Sequence, residues 1–210
     1  MSETHSAGRA VEALEAEIAR CRICRDAPWG KPLPHEPRPV TRLSATARIL
    51  VAGQAPGTRV HASGVPFSDP SGDRLRAWMG VTKEVFYDRA RIAIVPMGFC
   101  FPGHDAHGGD LPPRRECAPA WRDRVMAVMP AIDLVLAVGR PAQLWHLGRD
   151  ARPNLGETVA AWREILARPG LPRVLPLPHP SWRNTGWLKR HPWFVAEVVP
   201  ELRRRVAERL

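Results

Sequence analysis

The hydrophobic pattern contains four short, largely apolar runs, each of which ends abruptly at a glycine or a proline. Apolar runs bounded by turn formers are typical of strands that are buried on both faces of a parallel sheet. We predict strands over residues 49–52, 91–95, 132–138 and 173–177. Between them, apolar residues recur every three or four positions, as they do on one face of a helix. We predict helices over 10–20, 71–79, 121–129, 141–147, 157–167 and 193–209, the last kinked or restarted at Pro200.

The alternation of strands with helices predicts the α/β class, as a three-layer α/β/α sandwich with a central four-stranded, mainly parallel sheet. The chain has 210 residues and shows no internal repeat or low-complexity linker, so we expect a single domain over 1–210. Residues 26–47 contain five prolines and are predicted to wrap irregularly.

Unusual residues follow the strand ends. The first strand runs into the glycine loop GQAPG at 53–57, and the others are followed by Cys100, Arg140 and His179. Carboxyl ends of parallel strands meet at one edge of a sheet, where open α/β folds bind ligands. We therefore expect Gln54 and these three residues to share one site, with Phe67 further along the first loop.

The charge narrows the class of partner. The net charge is +10, and nearly all of the 31 basic residues are arginine, which favours planar phosphate recognition and makes nucleic acid the leading partner. The alternative is the basic background of an arginine-rich proteome. Because no run of about 18 apolar residues and no signal peptide is present, we expect a cytoplasmic, nucleoid-associated bacterial protein. We also expect a monomer with no membrane partner.

The four cysteines form two pairs, Cys21-x2-Cys24 and Cys100-x16-Cys117. Cytosolic thiols stay reduced, which favours a metal over disulfides. Four thiolates suit either zinc or an iron–sulfur cubane. The alternative is that Cys100 and Cys117 are small core hydrophobes.

With these features together, the chain resembles the uracil-DNA glycosylase superfamily, specifically its iron–sulfur-containing branches, families 4 and 5. The matching features are GQAPG at 53–57, GVPF at 64–67, the cysteine layout and HPSWRN at 179–184. They occur in the family's order and extend from residue 21 to about residue 190. The resemblance implies excision of damaged bases from DNA. It also implies a structural 4Fe–4S cluster whose metal ligands are Cys21, Cys24, Cys100 and Cys117.

The resemblance also implies residue roles. Phe67 would stack on the flipped base, and His179 would face the base carbonyl or the leaving anion. The loop 53–57 would hold the base and the attacking water. The residues implied to bind the base are Gly53, Gln54, Ala55, Phe67 and Asn184. The residues implied to enter the DNA groove and to fill the space left in the base stack are Ser181, Trp182 and Arg183.

The chain departs from the family patterns at the positions that handle water and uracil. Family 1 enzymes have a catalytic Asp where this chain has Ala55, and family 4 has Glu where this chain has Gln54. An Asn that ends the second strand is replaced by Pro96 or Met97. The overall pattern is closer to family 5, whose substrates are broader, so uracil need not be the sole substrate.

The remaining candidates for water activation follow Phe67 in the stretch SDPSGD. We predict Asp69, Asp73, His179 and Gln54 as catalytic residues, with a helix cap and a surface charge as the alternatives for the two carboxylates. The expected activity is that of a monofunctional uracil-DNA glycosylase. The alternatives are a non-catalytic or covalent damaged-DNA-binding protein of the same fold, and an iron–sulfur redox or regulatory protein.

Overall fold

The computed structural model describes residues 2–170 and 172–210. Its strands are β1 (Ile49–Ala52), β2 (Ile92–Ile94), β3 (Leu134–Val138) and β4 (Arg173–Leu177). They form one sheet in the order β2–β1–β3–β4, and every pair is parallel. The predicted strands are therefore present, two of them shortened at their ends because the flanking residues leave the ladder.

The described residues form eleven α-helices: α1 (Ser2–Ala19), α2 (Ile23–Asp26), α3 (Thr58–Ser63), α4 (Pro70–Met79), α5 (Lys83–Tyr87), α6 (Cys117–Ala127), α7 (Arg140–Leu147), α8 (Leu155–Ala160), α9 (Trp162–Ala167), α10 (Thr185–Arg190) and α11 (Val199–Ala207). Short 3₁₀ turns cover Gly148–Asp150 and Trp182–Asn184, and a π-helical turn covers Phe194–Val198. Within the described ranges, no helix combines the length and the apolarity needed to cross a membrane.

The two faces of the sheet build two cores, which confirms the three-layer architecture. In β1, Ile49 and Val51 pack in one core with residues of α4, α5, α8, α9 and α11. Leu50 and Ala52 point the other way, into a core that includes residues of α1, α6 and α7. All four residues are fully buried, as expected for a strand covered on both faces.

Several helices differ from the prediction. The segment 157–167 is two helices, α8 and α9, which meet at Ala161. The final segment begins as a π-helical turn before α11, because Pro200 has no N–H to offer the carbonyl of Ala196. Helices α2, α3, α5 and α10 were not predicted, since four to six residues are too few to show a helical period.

The irregular segment 26–47 is confirmed, and part of it covers the edge of the sheet. The Arg42 N–H donates to the Ile94 carbonyl (2.8 Å), and the Ile94 N–H donates to the Arg42 carbonyl (2.9 Å). This bridge satisfies the outer edge of β2, which would otherwise be free to pair with another chain.

The strand order places a crevice where the candidate site lies. From β1 the chain moves to β2 on one side and then returns to β3 on the other side of β1. Ligands in open α/β sheets bind outside the carboxyl ends of strands at such a reversal. The GQAPG loop leaves β1 at this position.

Candidate active site

A cavity of about 460 Å³ lies at the carboxyl edge of the sheet. Its walls come from the loops after β1, β2 and β4 and from the loop around residues 102–112. Asp73 and Trp182 do not line it. The predicted site residues that it brings together are Gly53, Gln54, Ala55, Phe67, Asp69, His179, Ser181, Arg183 and Asn184.

The prediction that Gln54, Cys100, Arg140 and His179 share this site is wrong for Cys100 and Arg140. Cys100 lines a different cavity, with the other cysteines. Arg140 begins α7 and donates to the Thr158 hydroxyl (3.2 Å) and the Pro153 carbonyl (3.0 Å). Converging strand ends bring backbones together but do not fix the direction of each side chain.

Phe67 has an unusual backbone conformation. Its φ of 53° makes it the sole non-glycine residue with positive φ in the part of the chain that the structure describes. This region costs about 1–3 kcal/mol for an ordinary residue and persists only where the surroundings impose it. The Phe67 ring lies against Gly53, where a Cβ would be 3.3 Å from the Phe67 Cζ. Glycine at 53 therefore lets the aromatic face lie close to the first loop.

A partly buried network holds the Phe67 carbonyl. The Tyr87 hydroxyl lies 3.1 Å from it and 2.8 Å from the Pro66 carbonyl, and Arg76 donates to it at 3.2 Å. Burial raises the pKa of Tyr87, so the phenol remains a donor. Asp73 pairs with Arg76 at 2.6 Å. Asp73 thus forms an ion pair with Arg76 and does not line the cavity.

Asp69 combines the two roles considered for it. One carboxylate oxygen caps α4, accepting from the Gly72 N–H (3.2 Å) and the Ser71 hydroxyl (2.5 Å). The same side chain lines the cavity. The hydrogen bonds of the cap hold the carboxylate at a position where it can contact a ligand in the cavity.

Gln54 is held over the end of β3. Gly139 has φ 85°, and a Cβ there would lie 2.3 Å from the Gln54 Nε2. Across residues 2–170 and 172–210, the backbone N–H groups of Gln54 and Ala55 donate to no protein acceptor. Both donors are therefore available to a ligand in the cavity.

His179 is fixed by its own loop. The Ser181 N–H donates to the His179 Nδ1 (3.3 Å), and the Asn184 side chain donates to the His179 carbonyl (2.7 Å). Burial lowers the pKa of His179, against the opposing effect of Asp69 and Asp110. The ring is therefore neutral at pH 7, and because Nδ1 accepts, its proton is on Nε2. The His179 and Phe67 ring centroids are 6.5 Å apart, with 26° between the planes.

Sequence reasoning missed Asp110, a second carboxylate in the cavity. Asp110 pairs with the His104 Nδ1 at 3.2 Å, and His104 Nε2 lies 3.1 Å from the Thr58 hydroxyl. A Cβ at Gly57 would be 3.3 Å from the Asp110 Oδ2. The available signal was a glycine-rich loop between two predicted cysteine ligands, but its long irregular path gives no period from which to place one side chain.

Ser181, Trp182 and Arg183 form an exposed loop at the mouth of the cavity. Trp182 is 75% exposed, and the Arg183 guanidinium lies 5.5 Å from the centre of its ring. Arg74 donates to the Ser181 carbonyl (3.1 Å), which ties this loop to α4. The loop thus presents an aromatic and a cation to solvent beside Phe67 and His179.

The four cysteines line one small cavity, together with Trp121. The Trp121 Nε1–H donates to the Cys21 sulfur and the Phe99 N–H donates to the Cys117 sulfur, both at 3.3 Å. A hydrogen bond from Cys100 lowers the pKa of Cys24 to about 7, while burial raises the pKa of Cys117 to about 12. Among the described residues, no three His, Cys, Asp or Glu side chains are grouped to hold a metal ion as they stand. The sulfurs border a cavity instead of converging on a point.

A buried arginine lies close to the cysteines. Arg122 is fully buried and donates to the Val95 carbonyl (2.9 Å), while its Nη2 lies 2.6 Å from the His146 Nε2. Among the residues that the structure describes, its Nε has no hydrogen-bond partner. Burial lowers the pKa of Arg122 to about 10, and negative charge on Cys117 opposes that shift. This attraction is outweighed at Cys117 itself, where burial raises the pKa of the thiol.

The family comparison agrees with this geometry. Residues 40–203 match the family model described as the Uracil DNA glycosylase superfamily. The match covers more than three quarters of the 210 residues, including β1 to β4 and every predicted residue of the cavity. The chain therefore belongs to the uracil DNA glycosylase superfamily.

Proposed function

We propose that this protein is a monofunctional DNA base-excision glycosylase that acts on uracil and on other deaminated or damaged bases and leaves an abasic site. Membership of the superfamily supports a DNA glycosylase-type function. The observation that carries the proposal is the convergence in one cavity of an aromatic face, a neutral imidazole and a carboxylate, from Phe67, His179 and Asp69. A glycosylase needs these groups because it must extrude, stack and read its base.

In the proposed reaction, the bond between C1′ of the sugar and the base nitrogen breaks, and its electron pair leaves on the base. The Nε2–H of His179 donates to a base oxygen and strengthens its bond as that oxygen gains charge. The backbone N–H groups of Gln54 and Ala55, which line the same cavity, would add further donors. The oxygen of water forms the new bond to C1′, and its proton passes to a carboxylate or to solvent.

We assign the carboxylate role first to Asp69 and secondly to Asp110. A carboxylate near the sugar offsets the positive charge of the oxocarbenium-like transition state and orients the water. Asp69 is fixed by its cap to α4, whereas Asp110 is bound to His104, whose side chain is 46% exposed. Because it is held more rigidly, Asp69 is expected to contribute more.

Asp69→Asn is expected to lower single-turnover excision by ~100-fold, the lower end of the range for a positioned acid or base. Asparagine caps helices as well as aspartate does, so the stability of α4 should be retained. Asp110→Asn should cost about 10-fold, a smaller share of the same effect. Asp73→Asn is the matched control, since Asp73 lies outside the cavity. A larger loss for Asp73→Asn than for Asp69→Asn would contradict the assignment.

The substrate class is tested with a panel of single-turnover assays on DNA that contains uracil, deaminated purines or etheno adducts. Alkali treatment reveals abasic product, and His179→Ala protein prepared in the same way controls for contaminating enzymes. Pro96 lines the cavity at the end of β2 and offers no amide to read uracil, so we expect more than one substrate. DNA that is bound but never cleaved at the glycosidic bond would overturn the proposal in favour of a damaged-DNA-binding protein.

We further propose that Cys21, Cys24, Cys100 and Cys117 hold a 4Fe–4S cluster. The residues present fit such a group: four thiols border one cavity, two N–H groups donate to the sulfurs, and a buried guanidinium offsets negative charge. Four thiolates suit either zinc or a cubane, and the choice of the cluster rests on the resemblance of the cysteine layout to the iron–sulfur branches of the superfamily. When bound, the cluster would tie α2 and α6 to the loop after β2, which is a structural contribution.

Purified wild-type protein is expected to be brown and to contain about four irons, as a Cys₄ cubane requires. Cys24→Ala should lose the visible absorbance and the iron and should unfold at a lower temperature. Ile23→Ala is the matched control, because it alters the same cavity without removing a thiol. A colourless wild-type protein with one zinc would exclude the cluster while keeping a metal at the four cysteines.

A further inference from the structure

A second groove opens beside the active-site cavity and has no role in the chemistry described above. It has a volume of about 320 Å³ and lies between Trp29 and the stretch Leu111–Pro112–Pro113. Pro102, Leu111 and Pro112 line both the groove and the cavity, so the two spaces share a wall. A polymer that has one unit in the cavity can therefore reach the groove with a neighbouring unit.

Trp29 presents its ring to solvent. It is 67% exposed, which is unusual for tryptophan, whose large apolar surface is normally buried. The chain that follows Trp29 is anchored at Leu33. The Leu33 N–H donates to the Cys24 carbonyl at 2.9 Å, and Leu33 packs against Cys24 and Cys100. The ring thus projects from a fixed base, as expected for a binding platform.

Beside its apolar wall, the groove has an exposed cation, Arg115. Arg114 and Glu116 are bonded to each other at 2.7 Å and neutralise each other. Arg115 also lines the groove and is exposed, and it forms no ion pair with any residue in the described ranges. A flat apolar surface beside an unpaired guanidinium matches the two parts of a nucleotide, its base and its phosphate.

We propose that this groove binds a nucleotide next to the excised base, with the neighbouring base stacked on Trp29 and a phosphate on Arg115. The inference rests on the proposed glycosylase function and deepens it by naming the form of DNA. A base in a paired duplex must first be unpaired and unstacked before it can lie on a protein ring, a cost that an unpaired base does not carry. The groove therefore favours single-stranded or locally unpaired DNA.

The test measures affinity for oligonucleotides that carry a non-cleavable analogue of the target nucleotide, as single strands and as duplexes. Trp29→Ala should weaken single-strand binding about 10-fold, within the range for base–aromatic stacking, and should change duplex binding by less than twofold. Trp29→Phe should restore much of the loss. Trp145→Ala is the matched control, because Trp145 is also exposed but lines neither space.

Modified oligonucleotides show which nucleotide contacts Trp29. Replacing one flanking base at a time by an abasic residue should weaken wild-type binding at one position and leave Trp29→Ala binding unchanged there. Arg115→Gln should reduce the slope of log affinity against log salt by about 0.7, the value for one phosphate contact on a single strand. Excision at saturating DNA should remain at the wild-type rate in all of these variants.

A failure of the groove proposal can be distinguished from a failure of the proposed glycosylase function. If wild-type protein excises bases but Trp29→Ala binds single strands as tightly as wild type, the groove does not bind a nucleotide and the glycosylase function stands. Equal losses on single strands and duplexes would also overturn the proposal. If wild-type protein excises no base from either form, the proposed function itself is wrong.

Discussion

Replacing His179 by alanine is expected to lower single-turnover base excision by ~100-fold or more, the scale of losing one donor to a developing oxyanion. The reason is that the Nε2–H of His179 donates to an oxygen whose charge grows in the transition state. A bond that strengthens only in the transition state affects the chemical step far more than ground-state binding. Affinity for DNA containing an uncleavable analogue should therefore stay close to wild type.

His107→Ala is the control, because His107 is an exposed histidine that does not line the cavity. Ring ¹⁵N shifts measured against pH provide a second check. The pKa of His179 should be below 6.5, since burial lowers it, and the neutral ring should carry its proton on Nε2. Excision by His179→Ala at the wild-type rate would show that the Pro-His-Pro segment is only a turn.

The fold could be predicted from the sequence because it depends on the spacing of apolar residues and on the glycines and prolines that end each apolar run. Four apolar runs that end at glycine or proline became four parallel strands, and the loops after β1 and β4 met at one cavity. Gln54 and His179 each lie within two residues of a strand end and line the cavity, but Arg140 is equally close to the end of β3 and does not. The topology therefore predicted which loops meet, but not which of their side chains face the cavity.

Residues further from the strands could not be placed in this way. Asp69 and Asp73 are four residues apart on the same stretch, and only the first faces the cavity, because the turn that caps α4 sends the second towards Arg76. Asp110 and Trp29 lie in irregular segments, where no period relates sequence position to direction. Their placement depends on backbone hydrogen bonds such as Leu33 to Cys24, which no local pattern encodes.

The position of Phe67 also depends on a close contact with Gly72, which could not be predicted from the sequence. A Cβ at Gly72 would lie 1.8 Å from the Phe67 carbonyl oxygen and 2.9 Å from the Phe67 Cβ. The nearest atom is backbone, so it cannot turn aside as the end of a long side chain would. Gly72 therefore allows the first turn of α4 to approach the loop that holds Phe67 at positive φ.

Gly72→Ala is expected to lower excision by ~100-fold, because a displacement of about 1 Å at a reacting site can cost that much. The protein should also lose about 1–3 kcal/mol of unfolding free energy, as overpacked sites do. Single-turnover rates and denaturant unfolding measure the two effects separately. Gly8→Ala is the matched control: Gly8 lies in α1, its Cβ would meet no atom within 4 Å, and the change should be neutral or mildly stabilising.

A double-mutant cycle separates the loss of Phe67 geometry from a general loss of structure. If Gly72→Ala acts by displacing Phe67, its effect on the rate should shrink strongly in a Phe67→Ala background, since residues in contact are not additive. The stability loss should persist in that background, because part of the overlap is with the Phe67 backbone. A Gly72→Ala protein that excises at the wild-type rate would mean that the Phe67 loop can move without consequence, and that Phe67 does not hold the base.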